Sequence, residues 1–228
     1  MQIVQLPLLN RTLEAYWYKA ESEKNRPAIL FMPDLMGVKE VTHKSAEILS
    51  KEGDFHVLIP NLYSGGTAMQ KYCVQFIMNE LVRNNEPFGN APLAEFFEIL
   101  DQLRLFEGVD ADNIGVIGQC LTGGFVLHAA IRPEVKAPVV FHHSFGWKGS
   151  GIPKNCSSLI DKKVQGHFSY VDPFCPVWRV RTLETELHGN LEAHWYALPH
   201  GIPHLFFNTE QGKHAFERMG DFFQEQLK

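Results

Sequence analysis

With 228 residues, 45% of them hydrophobic and 21% charged, the chain has ordinary globular composition and length for one sizeable core, read as a single domain over 1–228. A net charge of −5 with no basic block offers a polyanion no electrostatic purchase, so nucleic acid is not an expected partner. No apolar run approaches the ~20 residues of a membrane helix, the N-terminus lacks the features of a secretory signal, and the four cysteines form no C-x-x-C pair, which together predict a cytoplasmic, membrane-free protein with free thiols.

In chain order, Ala28 to Met32 is a short apolar run ended by Pro33-Asp34, as a buried strand would be. Val41 to Lys51 reads as a helix stopped near Gly53, and Val57 to Pro60 as a second strand before the turn-rich stretch Asn61 to Gly66. Met69 to Arg83 and Pro92 to Phe106 read as helices, the second with proline in its first turn. Ile114 to Ile117 is a strand and Leu121 to Ile131 a largely apolar helix. There follow strands at Val135–Phe141, Val164–Val171 and Leu191–Leu198, with a helix at Val177–Leu187 and a closing helix at Gly212–Leu227. Alternating strand and helix over the whole length predicts an α/β protein: a mostly parallel, doubly wound sheet with helices on both faces.

The segment Gly115-Val-Ile-Gly-Gln-Cys120-Leu-Thr-Gly-Gly runs a buried strand through a cysteine into a glycine-rich helix start. A residue on such a turn projects from the carboxyl edge of the sheet, where open α/β sheets bind ligands. A helix N-terminus there favours a thiolate, and the N–H of Leu121 is placed to meet an oxyanion. A thiolate nucleophile needs an imidazole, and the imidazole an orienting acid. Asp172 lies just past one later strand, in Asp-Pro-Phe-Cys-Pro176, and His200 and His204 lie past the next. The residues alone leave the choice between those two histidines open.

The motifs resemble the dienelactone hydrolase family, cysteine-nucleophile members of the α/β-hydrolase superfamily. They are Leu30-Phe-Met-Pro-Asp34-Leu-Met-Gly37, Leu58 to Gly66, Gly118-Gln-Cys120, Asp172 to Pro176 and His204-Leu-Phe-Phe-Asn208, which together span most of the chain. The resemblance implies a triad of Cys120, Asp172 and His204, the last match selecting His204 over His200. It also implies an oxyanion hole from the N–H groups of Leu35 and Leu121, and a nucleophile-modulating role for Asp34 where the family has glutamate. The implied activity is hydrolysis of small carboxylic esters or lactones through a thioester, with a small-molecule substrate, no metal and no organic cofactor. The assembly expected is a monomer or small homo-oligomer. The same triad would also serve a thioesterase or acyl transferase, and a binding protein that had lost turnover would keep the fold.

Three departures bear on substrate. Thr122 stands at a glycine position of the elbow, Asp34 is one methylene shorter than glutamate, and Asn208 takes the place of a carboxylate-binding arginine. The dienelactone substrate therefore does not carry over. Elsewhere, one histidine of His142-His143 is positioned to line a pocket, Cys175 to fill its loop, and Trp147, Phe206 and Phe207 to shape an apolar cavity.

Overall fold

A computed structural model describes residues 1–22, 25–63, 90–143, 152 and 157–227. The expected helix Met69–Arg83, together with Cys73, Trp147 and Cys156, lies outside those residues.

Eight strands form one sheet in the order β1-β2-β4-β3-β5-β6-β7-β8. They are β1 (Gln2–Pro7), β2 (Thr12–Tyr18), β3 (Arg26–Phe31), β4 (His56–Pro60), β5 (Val109–Gln119), β6 (Val135–Phe141), β7 (Val164–Ser169) and β8 (Leu191–Tyr196). From β4 to β8 the neighbours pair in parallel, whereas β1 and β2 form an antiparallel hairpin joined antiparallel to β4. The described helices are α1 (Glu40–Lys51), α2 (Asn90–Arg104), α3 (Gly123–Ala129), α4 (Val177–Glu186), α5 (Ile202–Leu205) and α6 (Glu210–Gln226).

The hairpin was not among the expected elements. β2 carries a half-buried alternation, with Leu13, Ala15 and Trp17 turned inward. Its partner β1 is largely exposed, so the apolar signal there is thin. The central strands read more plainly because parallel strands covered on both faces are apolar throughout. In β3 every residue from Pro27 to Phe31 is buried, with Ala28 and Leu30 on one side and Ile29 and Phe31 on the other.

Two apolar layers result. On one face Phe96, Ile99 and Leu103 of α2 and Phe125 and Val126 of α3 meet Leu30 and Val116. On the other, Ala46 and Leu49 of α1 and Ala215, Met219, Phe222 and Phe223 of α6 meet Ile29, Val57 and Val139. The α6 positions recur at the spacing that puts side chains on one helix face, and Thr209 caps the helix by accepting the Gly212 N–H at 3.1 Å.

Because β3 and β5–β8 run in parallel, their carboxyl ends share one edge, and the loops leaving that edge carry Asp34, Cys120, His142, Asp172 and His200. No described helix is long and apolar enough to cross a membrane.

Phe223 is fully buried and meets Phe55 with ring centroids 6.2 Å apart. Phe223→Ala is expected to lower unfolding free energy by about 3–5 kcal/mol, read as a shift in urea midpoint at unchanged slope.

Candidate active site

β5 ends at Gln119, and Cys120 opens a single 3-10 turn, Cys120–Thr122, that leads directly into α3. Cys120 has φ of 55°, left-handed backbone that a side chain rarely adopts, so the sulfur stands on a strained corner. The corner is tight. A Cβ on Gly118 would lie 2.4 Å from the Thr122 carbonyl oxygen, and one on Gly123 would lie 2.6 Å from that of His142. Thr122, standing at a glycine position of the elbow, stitches the turn: its hydroxyl accepts the Gln119 N–H at 2.9 Å and donates to the Gln119 carbonyl at 3.1 Å. Leu121 follows Cys120 within the turn, and Leu35 follows Asp34 just beyond β3.

Asp172 follows β7 and is 4% exposed. Its Oδ1 accepts the N–H groups of Phe174 at 2.8 Å and Cys175 at 3.1 Å, closing the Asp-Pro-Phe-Cys loop on itself. Its Oδ2 lies 2.7 Å from His200 Nδ1 and 2.8 Å from His142 Nδ1. The His200 contact is an aligned hydrogen bond. The His142 approach is equally short but bent away from the N–H axis. Burial works to raise the Asp172 pKa, yet the bonds from His142 and His200 outweigh it and hold the carboxyl well below the usual range.

The acid's imidazole partner is His200, not the expected His204. Burial tends to deprotonate His200, but the hydrogen bond with Asp172 and the nearby Cys120 sulfur push its pKa up to about 10. The ring thus bonds the carboxylate and lies on the same sheet edge as the sulfur. His204 belongs to a different pair: its Nε2 is 3.1 Å from Asp34 Oδ2 and its Nδ1 3.4 Å from Gln119 Oε1. The reason is local. Gly201, at φ of 98°, turns the chain into the short helix α5, and Pro203 sits in its first turn. His204 is carried round that turn to the β3–β5 side of the edge. The motif match at His204-Leu-Phe-Phe-Asn208 overlooked this unexpected helix.

Asp34, expected to modulate the nucleophile, spends one oxygen on His204 and the other on the Met36 N–H at 2.8 Å. Burial raises the Asp34 pKa and lowers that of His204. Cys175 is fully buried with Sγ 3.6 Å from His143 Nδ1, and burial pushes its thiol up to about 12, consistent with filling its loop. Phe207, expected to shape an apolar cavity, packs on Phe216 at 5.5 Å and lines a small cleft with Phe31, Phe141 and Met219. The contact of His142 with Asp172 is not among those expected from the sequence. The signal was its place just past β6 on the shared edge. His142, Asp172 and His200 bring one ligand atom each within 4.8 Å of one another, a cluster that two imidazoles converging on one carboxylate oxygen already account for.

Residues 13–227 match the dienelactone hydrolase family. A candidate carboxymethylenebutenolidase of Synechocystis sp. is 22% identical over 245 residues, covering 99% of this chain and 97% of that protein. Among solved structures, a candidate dienelactone hydrolase from Klebsiella pneumoniae superposes with a TM-score of 0.78 at 20% identity, over 97% of each chain. A dienelactone hydrolase-like promiscuous phosphotriesterase from metagenomic libraries superposes with a TM-score of 0.81 at 14% identity, over 100% of this chain and 98% of that one.

The raised His200 pKa has a consequence for stability. A group that holds its proton more tightly when folded stabilises the fold fully below its ordinary value of 6.5, and that contribution is lost as pH rises through about 10. Thermal stability is therefore expected to decline between pH 7 and 10, and the decline to be shallower in His200→Gln, as differential scanning calorimetry across that range would show.

Proposed function

The chain belongs to the dienelactone hydrolase family, and from that premise we propose that it cleaves small carboxylic esters or lactones through Cys120, with His200 as proton carrier and Asp172 as its orienting acid. The observation that carries this reading is the His200 ring, hydrogen-bonded to Asp172 through Nδ1 and close enough to Cys120 to respond to its charge.

The reaction begins when His200 takes the Cys120 proton, giving a thiolate beside an imidazolium. The thiolate attacks the substrate carbonyl carbon and the carbonyl π electrons move to oxygen. The N–H groups of Leu121 and Leu35 are assigned to that oxyanion, and one such donor is typically worth roughly 3–4 kcal/mol of barrier. Collapse of the intermediate breaks the ester C–O bond, and the leaving oxygen takes the His200 proton. The acyl group is then a thioester on Cys120. His200, now neutral, accepts a proton from water as the water oxygen attacks. Loss of sulfur from the second tetrahedral intermediate gives the acid and restores the ion pair. These steps draw on no metal or organic cofactor.

The rim favours apolar, uncharged substrates. Met36, Phe174 and Leu205 are 50%, 60% and 64% exposed, and each lies within two residues of Asp34, Asp172 or His204. The ring of Phe174 also meets that of His200 at 5.2 Å. Asn208, where the family has an arginine, brings no cation for a substrate carboxylate.

With p-nitrophenyl butyrate, Cys120→Ala and His200→Gln are expected to lose at least ~100-fold in kcat, and His204→Gln less than tenfold. Mass spectrometry of a quenched reaction should find the butyryl group on Cys120. Full turnover in Cys120→Ala would sink the mechanism, and a His204→Gln loss exceeding that of His200→Gln would return the proton to His204.

A further inference from the structure

We propose that His142 is a positioning residue for this reaction: its buried ring bridges the acid loop to the histidine loop and so fixes His200 against Asp172. The inference rests on the assignment of Asp172, His200 and Cys120 above.

His142 lies just past β6 with φ of 53°, one of four described non-glycine residues at positive φ, another being Cys120 itself. It is 1% exposed. Its Nε2 accepts the Ile202 N–H at 3.4 Å. An imidazole nitrogen that accepts carries no proton, so in the neutral ring the proton is on Nδ1. That nitrogen is 2.8 Å from Asp172 Oδ2. Burial favours this neutral form. One ring thus reaches Asp172 through one nitrogen and the chain two residues beyond His200 through the other.

The placement completes a pattern. Two residues before His200, the Leu198 carbonyl accepts the hydroxyl of Ser169, at the end of β7. Two residues after it, the Ile202 N–H is held by His142. The segment bearing His200 is pinned on both sides, and Gly201 between His200 and Ile202 is the flexible point that the second pin restrains. His142 also touches the third member of the site. Its carbonyl oxygen packs where Gly123 has no Cβ, at the start of the helix behind Cys120. Its ring lies 4.7 Å from that of His200. Elbow, acid loop and histidine loop therefore meet on this residue. The titratable groups facing it are Asp172, His200 and His204, with His167 on the strand beside it.

Three substitutions separate the two contacts. His142→Asn keeps an N–H where Nδ1 stood and tolerates the left-handed backbone. His142→Gln keeps an acceptor where Nε2 stood, and His142→Phe keeps neither. Two readouts are taken: kcat and KM for p-nitrophenyl butyrate, and the pH dependence of Cys120 carboxamidomethylation by iodoacetamide, followed on the Cys120 peptide by mass spectrometry. The second needs no turnover. In His142→Phe, kcat is expected to fall ~30-fold with KM within about twofold, and the alkylation profile to move up by about one pH unit as the ion pair weakens. His142→Asn and His142→Gln should fall between that variant and the wild type.

An alkylation profile in folded His142→Phe that overlays the wild type overturns the proposal, as does a loss of kcat and KM together with no movement of the profile. If His142→Phe does not fold, wild-type profiles in both His142→Asn and His142→Gln overturn it equally. A wild type that turns over no ester while the profiles still shift would remove the hydrolase reading and leave the positioning role standing.

Discussion

The site is organised around one buried negative charge. A carboxylate removed from water is costly unless its lone pairs find donors, and Asp172 meets that demand with two backbone N–H groups on one oxygen and, on the other, a hydrogen bond from His200 and the close approach of His142. Those donors come from three places. Phe174 and Cys175 belong to the acid loop, His142 to the end of β6, and His200 to the loop after β8. Satisfying one charge therefore fixes three segments that are distant in sequence. The parallel sheet makes this possible, because adjacent strands running the same way deliver their loops to one edge.

A second constraint acts at the elbow. Cys120 takes a left-handed backbone that costs of order 1–3 kcal/mol, and it is held there by contacts that leave no space to relax. The Gly118 and Gly123 approaches exclude larger residues, and the Thr122 hydroxyl closes the turn on Gln119. The threonine shows how a departure from a family pattern can be absorbed: a hydroxyl that bonds the backbone of its own turn substitutes for the freedom of a glycine. Strain at the sulfur and charge at Asp172 are then coupled through His200, whose ring can satisfy both only if each is where the fold puts it.

Much of this is legible in the amino-acid sequence. Strand Val135–Phe141 has the bounds its apolar run implied, and the buried stretches around Ile29, Leu58 and Val116 mark the other central strands. Strands covered on both faces leave an unbroken apolar signature. β1 leaves none, since most of its side chains face solvent and its pairing with β2 is written in backbone hydrogen bonds. Cys120, Asp172 and Asp34 lie on the expected edge. The choice of histidine was harder for a physical reason. His200 and His204 are four residues apart and follow the same strand, so their separation in space depends on Gly201 turning the chain into a four-residue helix. Helices that short carry no periodicity to read. His142 was obscured in a similar way: alternation along a strand assigns His142 and His143 to opposite faces, but β6 has ended at Phe141 and the positive φ at His142 breaks the alternation.

The two Asp–His pairs show how environment divides chemically identical partners. Asp172 is held ionised by three hydrogen bonds and the close His142 ring, so its imidazole is drawn towards the charged form, and the nearby Cys120 sulfur draws it further. Asp34 has one backbone donor and one imidazole, and burial dominates; its acid is pushed up while its imidazole is pushed down. Both shifts favour a pair that shares one proton and carries no net charge. In the proposed reaction an imidazolium beside sulfur is needed before attack, and only the first pair supplies it. The second, lying across the edge with its carboxylate bonded to the Met36 N–H, is suited to hold the loop that carries Leu35 without adding charge to the site. The difference between the pairs rests on how many donors each carboxylate receives, and that number is set by the backbone of the loop on which it sits.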